Sequence, residues 1–257
     1  MKYKLRPSGS SRWLACPASL VLEDTVEPEK RDDFIAAYLG TATHELLEMC
    51  IKEQKRAEAF RGEFITVYEE ETQNFPYVKQ VDERMIASVN FFLDEVGEAP
   101  ADWGVEVYSE LYMEHSELPE LQGTADYVCI NGDHALLADL KNGTGIVQVQ
   151  KRDGTINTQL LSYASLIFDK FPQVETMTIA IIQPNGKTKK KVRSTDINRK
   201  DAAEYMDRVR AAAKAAEEAT EATLDVITSE GSHCWFCRAK DICPTRGKAE
   251  INKDFGG

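Results

Sequence analysis

Hydrophobic residues recur at helical spacing in the first hundred residues of the chain and again after residue 155. Apolar side chains three and four positions apart lie on one face of a helix, so this spacing predicts amphipathic helices. Gly40 interrupts the first segment, and we expect two helices there rather than one. The predicted helices cover residues 33–38, 41–55, 77–96, 156–168 and 201–222.

The period of the pattern changes between residues 104 and 140. Residues 104–113 alternate between apolar and polar side chains, as in a strand with one buried face. Two short apolar runs, 125–130 and 135–140, are joined by Asn131-Gly132-Asp133 and predict an antiparallel hairpin. A last apolar run, 176–182, follows the helix at 156–168. This order predicts an α/β fold with an αβββαβ core around a mixed sheet and further helices outside it.

The length and the absence of internal repeats favour one domain. The 257 residues can bury roughly three-quarters of the surface of the unfolded chain. We divide the domain into an N-terminal helical part (1–100), the core region (104–195) and a C-terminal segment (198–257) with a helix and a cysteine cluster. No run of apolar residues is long enough to span a membrane, and the N-terminus lacks the apolar segment of a secretory signal. We therefore expect a cytoplasmic protein.

The charge of the chain is unevenly distributed. The formal net charge is −12, which by itself argues against a nucleic-acid partner. However, residues 62–126 hold sixteen acids and two bases, a net of −14, so the rest of the chain sums to +2. A basic run lies after the last predicted strand and is either a solvated hairpin or a track for a phosphate backbone. Its members are Lys187, Lys189, Lys190, Lys191 and Arg193.

Two aspartates lie at strand ends that the predicted hairpin brings together. Asp126 opens one predicted strand and Asp139 closes the next, and the intervening turn places Asp126 opposite residues 138–139. Two adjacent carboxylates repel each other unless a divalent cation or a shared proton compensates. Lys141 returns to the face of Asp139 because side chains alternate along a strand. The alternative is an ordinary ion pair between Asp139 and Lys141.

Four short motifs follow one another in a recognisable order. They are Gly40-x3-His44-x3-Glu48, Gly123-x2-Asp126, Asp139-x-Lys141 and Gln159-x3-Tyr163. In this order, over about residues 8–247, the sequence resembles the PD-(D/E)XK nuclease superfamily. Within it, the sequence is most similar to the RecB-like branch, which includes iron–sulfur exonucleases of DNA recombination and CRISPR adaptation and similar phage proteins. One departure is Asn142 after Lys141, where threonine is more usual, and it leaves the substrate preference open.

The resemblance implies a restriction-endonuclease-like fold and a metal-dependent active site. It implies that Mg²⁺ or Mn²⁺ is bound by His44, Asp126, Asp139 and the backbone carbonyl of Leu140. Lys141 would position or deprotonate the attacking water. Gln159 and Tyr163 would orient the scissile phosphate, and Glu110 would support the metal through water, with Glu106 as the competing choice. The alternatives are an exposed helix histidine at His44 and ordinary helix-surface roles for Gln159 and Tyr163.

Three cysteines lie within ten residues near the C-terminus. Cys234, Cys237 and Cys243 form a C-x2-C-x5-C pattern, and Cys16 is a candidate fourth ligand. Thiolates at such spacing bind zinc or an iron–sulfur cluster. The solitary C-x2-C-x5-C pattern resembles the 4Fe–4S site of RecB-like nucleases, with zinc as the alternative.

The sequence also suggests roles for the two aromatic residues between the cysteines and for the two remaining cysteines. We expect Trp235 and Phe236 to shield the cluster, or else to stack on a DNA base. Cys50 and Cys129 fall on apolar faces and are interpreted as core residues.

The function expected from these patterns is that of a Mg²⁺- or Mn²⁺-dependent DNA exonuclease acting on DNA ends, with single strands favoured. The partners expected are DNA and a recombination or CRISPR-adaptation protein, in the cytoplasm of a bacterium or a phage-infected host. The chain has no Gly-x4-Gly-Lys-Ser/Thr motif, so ATP-driven unwinding would need a partner. Two alternatives stay open: a non-catalytic DNA-binding or assembly subunit of the same fold, and a zinc-stapled RNA-processing nuclease.

Overall fold

The computed structural model describes residues 3–26, 35–67, 77–97, 105–220 and 222–245. Its helices are α1 (Ser10–Ala15), α2 (Ala18–Glu23), α3 (Ile35–Glu53), α4 (Glu83–Val96), α5 (Thr158–Lys170) and α6 (Arg199–Glu217). Its strands are β1 (Phe64–Val67), β2 (Tyr77–Gln80), β3 (Glu106–Glu114), β4 (Gln122–Asn131), β5 (His134–Leu140), β6 (Thr176–Ile182) and β7 (Val192–Asn198). No helix in these ranges is long and apolar enough to cross a membrane.

A five-stranded mixed sheet forms the centre of the molecule, in the order β3-β4-β5-β6-β7. Only β5 and β6 pair in parallel, and the other neighbours are antiparallel. Parallel neighbours need a crossover connection, which α5 supplies. A separate two-stranded sheet is made of β1 and β2. The fold is therefore mixed α/β, as the sequence predicts, although the part before residue 100 is not purely helical.

Apolar clusters lie on the two faces of the central sheet. Leu137 and Ile179 point into the cluster that contains residues of α5 and α6. Ala138 and Ala180 point into the other cluster, which contains residues of α3 and α4. This alternation follows from the two-residue period of a strand. Asp139 lies two residues after Leu137, so its side chain points to the same face of the sheet. We call this face, which packs against α5 and α6, the α5 face.

Two helix predictions are wrong. Gly40 does not break the first helix, because α3 runs through it. A helical glycine costs about 1 kcal/mol relative to alanine, and the burial of Leu46 and Leu47 in the core offsets this cost. The predicted helix 77–96 is strand β2 followed by α4. Asp82 separates the two elements because its side chain accepts hydrogen bonds from the amides of Arg84 and Met85 at the helix N-terminus.

The strand predictions need smaller corrections. The strands β3, β5 and β6 lie within two residues of their predicted bounds. Strand β4 begins at Gln122 rather than at residue 125, so Asp126 lies inside the strand and does not open it. The basic run belongs to a hairpin, since β6 and β7 are antiparallel neighbours joined by residues 183–191.

The alternation of strands β3 and β4 changes phase near their middle. Tyr108 and Leu111 of β3 both pack against the cluster on the α5 face, although a regular strand would place them on opposite faces. Ala125 and Val128 of β4 show the same phase change. Glu110 lies at this point and has a φ of 46°, in the left-handed region that non-glycine residues rarely adopt.

Candidate metal centre

Three side chains from three elements converge at the phase change. His44 comes from α3, Glu110 from β3 and Asp126 from β4. The Nδ1 atom of His44 lies 3.3 Å from Asp126 Oδ1 and 3.6 Å from Glu110 Oε1. One ligand atom from each residue lies within 4.8 Å of the others, and this is the only such group of His, Cys, Asp and Glu in the described ranges. An imidazole with two carboxylates is a ligand set for a divalent cation.

The backbone fixes the direction of the Asp126 carboxylate. Its Oδ2 atom accepts a 2.7 Å hydrogen bond from the amide of Leu140, the last residue of β5. The pairing of Tyr127 with Ala138 places Asp126 across from Asp139, which confirms the register expected from the turn. Leu140 therefore contributes its amide to the site, and a role for its carbonyl stays a prediction.

A second polar group adjoins the triad on the α5 face. Lys141 Nζ lies 3.1 Å from Asp139 Oδ1 and 3.0 Å from Oδ2. The same ammonium group donates to Gln159 Oε1 at 3.3 Å, and Gln159 Nε2 donates to Asp139 Oδ1 at 3.3 Å. The side chain of Asn157 caps α5 and thereby fixes the turn that carries Gln159. The sequence prediction that Asp139 and Lys141 share a face is confirmed.

Tyr163 lies one turn after Gln159 and is 7% exposed. Burial raises the pKa of its phenol, and the charges of Asp126 and Asp139 raise it further. The ring also explains Gly123 of the second motif. A Cβ atom at residue 123 would stand 3.2 Å from the Tyr163 ring and 2.8 Å from Pro7. Glycine therefore allows β4 to pack closely against these residues.

The charged groups at the centre shift one another's pKa values. Burial alone would lower the pKa of His44, but Asp126 and Glu110 raise it well above its usual range. Burial alone would raise the pKa of Asp126, but His44 and Lys141 hold it below the usual value. Burial raises the pKa of Asp139 to about 6, against the opposing charge of Lys141. Burial alone would lower the pKa of Lys141, but Asp139 and Asp126 raise it.

One buried oxygen of the centre, Oε1 of Glu110, accepts no hydrogen bond from the described residues, and His44 Nδ1 lies 3.6 Å from it. A second buried oxygen, Oδ2 of Asp139, has the Lys141 ammonium group 3.0 Å away as its ion-pair partner. A buried acceptor without a donor costs free energy, and a bound cation would compensate for that cost. The residues present therefore fit a metal ion with carboxylate and imidazole ligands.

Two other acidic residues, one from the first motif and one that competes with Glu110, have their own partners. Glu48 pairs with Lys52 at 2.6 Å on the surface of α3. Glu106 accepts a hydrogen bond from Tyr108. Of the two acids considered in β3, it is Glu110 that lies beside His44.

An uncharged hydrogen-bond network near the centre is not evident from the sequence. Asn142 Nδ2 donates to Thr43 Oγ1 at 3.0 Å. This hydrogen bond joins the residue after Lys141 to the residue before His44. Asn142 Oδ1 accepts from Asn185 Nδ2 at 2.7 Å and from Ser88 Oγ at 3.3 Å. The only signal in the sequence is the pair Asn142-Gly143, which by itself predicts a turn.

The candidate cluster ligands occur where the two ends of the described chain meet. Cys16, Cys237 and Cys243 belong to one small apolar cluster, and the charges of Cys243 and Cys234 act on Cys16. Burial raises the pKa of Cys16, and that of Cys237 to about 11. No three of these sulfurs lie within 4.8 Å of one another in the ranges described. Cys50 is 2% exposed in the α3–α4 cluster, and Cys129 packs against it.

The two aromatic residues between the cysteines do not shield them. Trp235 is 80% exposed and Phe236 is 77% exposed. The expectation of shielding is wrong, because side chains this exposed cover little of their surroundings. The short 3-10 helix Ser232–Phe236 turns both rings outward.

The basic run divides into outward and inward residues. Lys187, Lys189 and Lys190 are exposed. The ammonium group of Lys191 instead donates to the carbonyl of Gly186, and Arg193 is only 6% exposed. The prediction of a continuous basic track from Lys187 to Arg193 is therefore wrong, since only the first lysines of the run can face a partner.

Comparisons with known proteins give a family and a distant structural likeness. A family model with the description "Protein of unknown function (DUF2800)" matches residues 3–255. A solved structure titled "Crystal structure of SSO0001" aligns with 90% of this chain and 95% of that chain. The identity is 12% and the TM-score is 0.33, which is too low to carry an argument.

Proposed function

Because the chain belongs to the DUF2800 family, whose description assigns no function, we propose a function from the geometry of its own residues. The protein is a Mg²⁺- or Mn²⁺-dependent DNA nuclease of the PD-(D/E)XK superfamily. It acts as an exonuclease on DNA ends and favours single strands.

The arrangement of the metal centre carries this proposal. His44, Glu110 and Asp126 converge within 4.8 Å. The Asp139–Lys141–Gln159 group adjoins them through the hydrogen bond that the Leu140 amide donates to Asp126. A structural ion pair between Asp139 and Lys141 would leave no reason for a second acidic group beside it. The buried Oε1 of Glu110, which accepts no hydrogen bond among the described residues, would be compensated by a cation held by His44, Glu110 and Asp126. The single imidazole favours Mn²⁺ over Mg²⁺.

Lys141, Gln159 and Tyr163 each have a role in the hydrolysis of a phosphodiester. A bound Mn²⁺ or Mg²⁺ supplies Lewis acidity and lowers the pKa of water. Lys141 is held as a cation by Asp139 and Gln159, so its ammonium group stabilises negative charge that develops on the phosphate. Gln159 fixes Lys141 and offers its amide to the phosphate. The phenol of Tyr163 stays protonated and donates a hydrogen bond.

The choice of DNA ends and single strands rests on the absence of a base-reading element in the described chain. The exposed lysines 187, 189 and 190 lie in the loop that follows β6. Such lysines bind phosphates irrespective of sequence.

The cysteines hold a 4Fe–4S cluster in this proposal, through Cys16, Cys234, Cys237 and Cys243. Hydrogen bonds already join the two ends of the chain beside them: Ser229 Oγ donates to the carbonyl of Ala15 at 2.5 Å, and the Arg238 amide donates to Glu23 at 2.8 Å. The cluster is architectural. It secures α1, whose Ser10 hydroxyl donates to Thr158 at the start of α5, next to Gln159.

Digestion of end-labelled DNA tests the nuclease activity. Single-stranded oligonucleotides labelled at the 5′ or the 3′ end are incubated with purified protein and Mn²⁺. We expect stepwise shortening from one end, which EDTA stops and His44→Ala abolishes. DNA that stays intact but is retained in a gel-shift assay would instead support the non-catalytic DNA-binding subunit, and digestion confined to RNA would support the RNA-processing alternative.

Absorption spectroscopy tests the cluster. Protein purified without oxygen should absorb near 400 nm and contain iron, and Cys234→Ala should lose the absorption and melt at a lower temperature. Cys129→Ala is the control, since Cys129 packs against the α3–α4 cluster and not against the cluster that contains Cys16, Cys237 and Cys243. Zinc without iron, or a Cys234→Ala protein with unchanged colour and melting temperature, would contradict the proposal.

A further inference from the structure

The loop that follows Lys141 has an unusual backbone. Residues 143–146 are all exposed, in the sequence Gly143-Thr144-Gly145-Ile146. A Cβ atom added to Gly143 or to Gly145 would have no heavy atom within 4 Å, so the outer surface of the loop is open. A molecule can therefore approach its backbone closely.

The carbonyls of this loop all point inward. The carbonyls of Gly143 and Gly145 accept from Gln183 Nε2 at 2.9 and 2.6 Å. The carbonyl of Thr144 accepts from the Lys187 amide at 2.9 Å, and that of Asn142 accepts from Asn185 at 3.4 Å. All four donors belong to residues 183–187, behind the loop.

The amides of residues 143–146 must therefore point outward. All peptide bonds in the described chain are trans, and in a trans peptide the N–H is opposite to the preceding carbonyl. None of these four amides donates to another residue in the described ranges, although the next one, Val147, donates to Gln183 at 3.2 Å. Successive amides that point to one side form a concave anion-binding surface.

A buried positive charge lies behind the loop. Arg193 donates to the carbonyl of Val147 at 2.7 Å and to Gln183 Oε1 at 2.5 Å, and a third bond goes to the carbonyl of Lys190. All three acceptors are neutral, and no carboxylate pairs with this guanidinium among the described residues. A buried charge without a counter-ion is costly, and an anion on the loop surface would offset part of that cost.

The surroundings are also cationic. Lys141 directly follows β5, the strand that leads into the loop. The hydrogen bond from the Lys187 amide to the Thr144 carbonyl places the exposed lysines 187, 189 and 190 beside the loop. The loop thus combines four free amides, a buried guanidinium and nearby ammonium groups, which together match the charge and acceptor atoms of a phosphate.

We propose that the backbone amides of residues 143–146 form a phosphate-binding subsite of the candidate active site. Because the subsite adjoins Lys141, this inference rests on the proposed nuclease function and refines its substrate: the bound group is a phosphate of the nucleic acid next to the one that is cut. The group is either a terminal phosphate monoester or an internal phosphodiester. The subsite itself needs no metal.

Amide chemical shifts of the unmodified protein test the subsite. ¹⁵N-labelled protein in EDTA is titrated with inorganic phosphate, and in parallel with chloride at the same ionic strength. We expect saturable shifts at Gly143, Thr144, Gly145 and Ile146 with phosphate only. Unmoved resonances, or equal shifts with chloride, would overturn the proposal.

A matched pair of substitutions at one residue separates backbone from side chain. Thr144→Pro removes one outward amide, and Thr144→Ala removes the hydroxyl but keeps the amide. In EDTA we expect Thr144→Pro to weaken oligonucleotide binding about tenfold, and Thr144→Ala to change it less than about twofold. Equal effects of the two substitutions, in proteins with native circular dichroism, would contradict a backbone site.

Oligonucleotides with different ends distinguish the source of the phosphate. Preference of the wild type, but not of Thr144→Pro, for a 5′- or 3′-phosphorylated end identifies a terminal monoester. Equal binding of phosphorylated and hydroxyl ends, with both weakened by Thr144→Pro, identifies an internal diester. Phosphate shifts in a protein that cuts no DNA would remove the nuclease proposal and leave the subsite, whereas DNA cleavage without these shifts would remove the subsite alone.

Discussion

At the scale of single residues, the candidate centre depends on a strained glutamate. The sequence identified His44, Asp126, Asp139, Lys141 and Gln159, and the structure places them in two adjoining groups that the Leu140 amide links. The sequence does not decide whether Glu106 or Glu110 supports the metal, because a regular strand places both side chains on the same face. The left-handed φ of Glu110 decides between them, and no pattern of residue types reveals such a distortion. Strain of this kind is typical of functional sites.

Glycine at residue 110 tests that strain. Glycine adopts a φ of 46° without a steric penalty, so we expect Glu110→Gly to be more stable than Glu110→Ala by about 1 kcal/mol in metal-free urea unfolding. Glu106 is the control in the same strand, where glycine should be less stable than alanine by about 0.5–1 kcal/mol. If the glycine variant is less stable than the alanine variant at both residues, Glu110 is not strained. Both Glu110 variants should bind Mn²⁺ more weakly than the wild type.

At the scale of elements, the centre depends on how α3 is held against the end of β5. The hydrophobic pattern predicted four of the five central strands, β3 to β6, since their apolar side chains are buried, but it did not predict β7. It failed at Gly40, where tertiary packing outweighs a local cost, and at Asp82, whose capping role divides β2 from α4. It also missed the bond between Asn142 and Thr43, because contacts between distant polar residues leave no period in a sequence.

Asn142→Ala tests whether this bond positions His44. The variant removes one hydrogen bond each from Thr43, Ser88 and Asn185, and we expect a loss of about 1–3 kcal/mol in stability and weaker Mn²⁺ binding by calorimetry. Asn90→Ala is the matched control, because Asn90 also bonds through its amide, to Ala57 and Glu58, but away from the centre. It should lose stability without losing Mn²⁺ affinity. An equal loss of affinity in both variants would refute a positioning role.

At the scale of the whole molecule, net charge is a poor guide to the partner. The chain carries −12, yet some of its acids form the candidate metal centre, where a cation would neutralise them. The exposed lysines of the β6–β7 loop lie beside the loop that follows Lys141. The sequence could locate this basic run, but it could not show that Lys191 and Arg193 turn inward, since this depends on the carbonyls that they meet.

The salt dependence of DNA binding tests which lysines face the partner. Each phosphate contact to single-stranded DNA contributes about 0.7 to the slope of log K against log salt, so Lys187→Ala with Lys190→Ala should reduce the slope by roughly 1.4. Lys200→Ala with Lys214→Ala is the control, because both lysines lie on α6. Equal slopes for the two double variants would show that the β6–β7 loop does not bind the phosphate backbone. Binding should also strengthen with Mn²⁺, which reduces the charge of the centre.

The central claim, that the Asp126–Asp139–Lys141 region hydrolyses DNA, is tested most directly by one pair of isosteric substitutions in the same sheet. Asp139→Asn removes a charge at the centre, whereas Asp196→Asn removes one on β7, where Asp196 accepts from Thr178. Cleavage of labelled single-stranded DNA with Mn²⁺ should fall on the order of a hundredfold or more for Asp139→Asn and stay unchanged for Asp196→Asn. Wild-type cleavage by the Asp139→Asn protein would contradict the account.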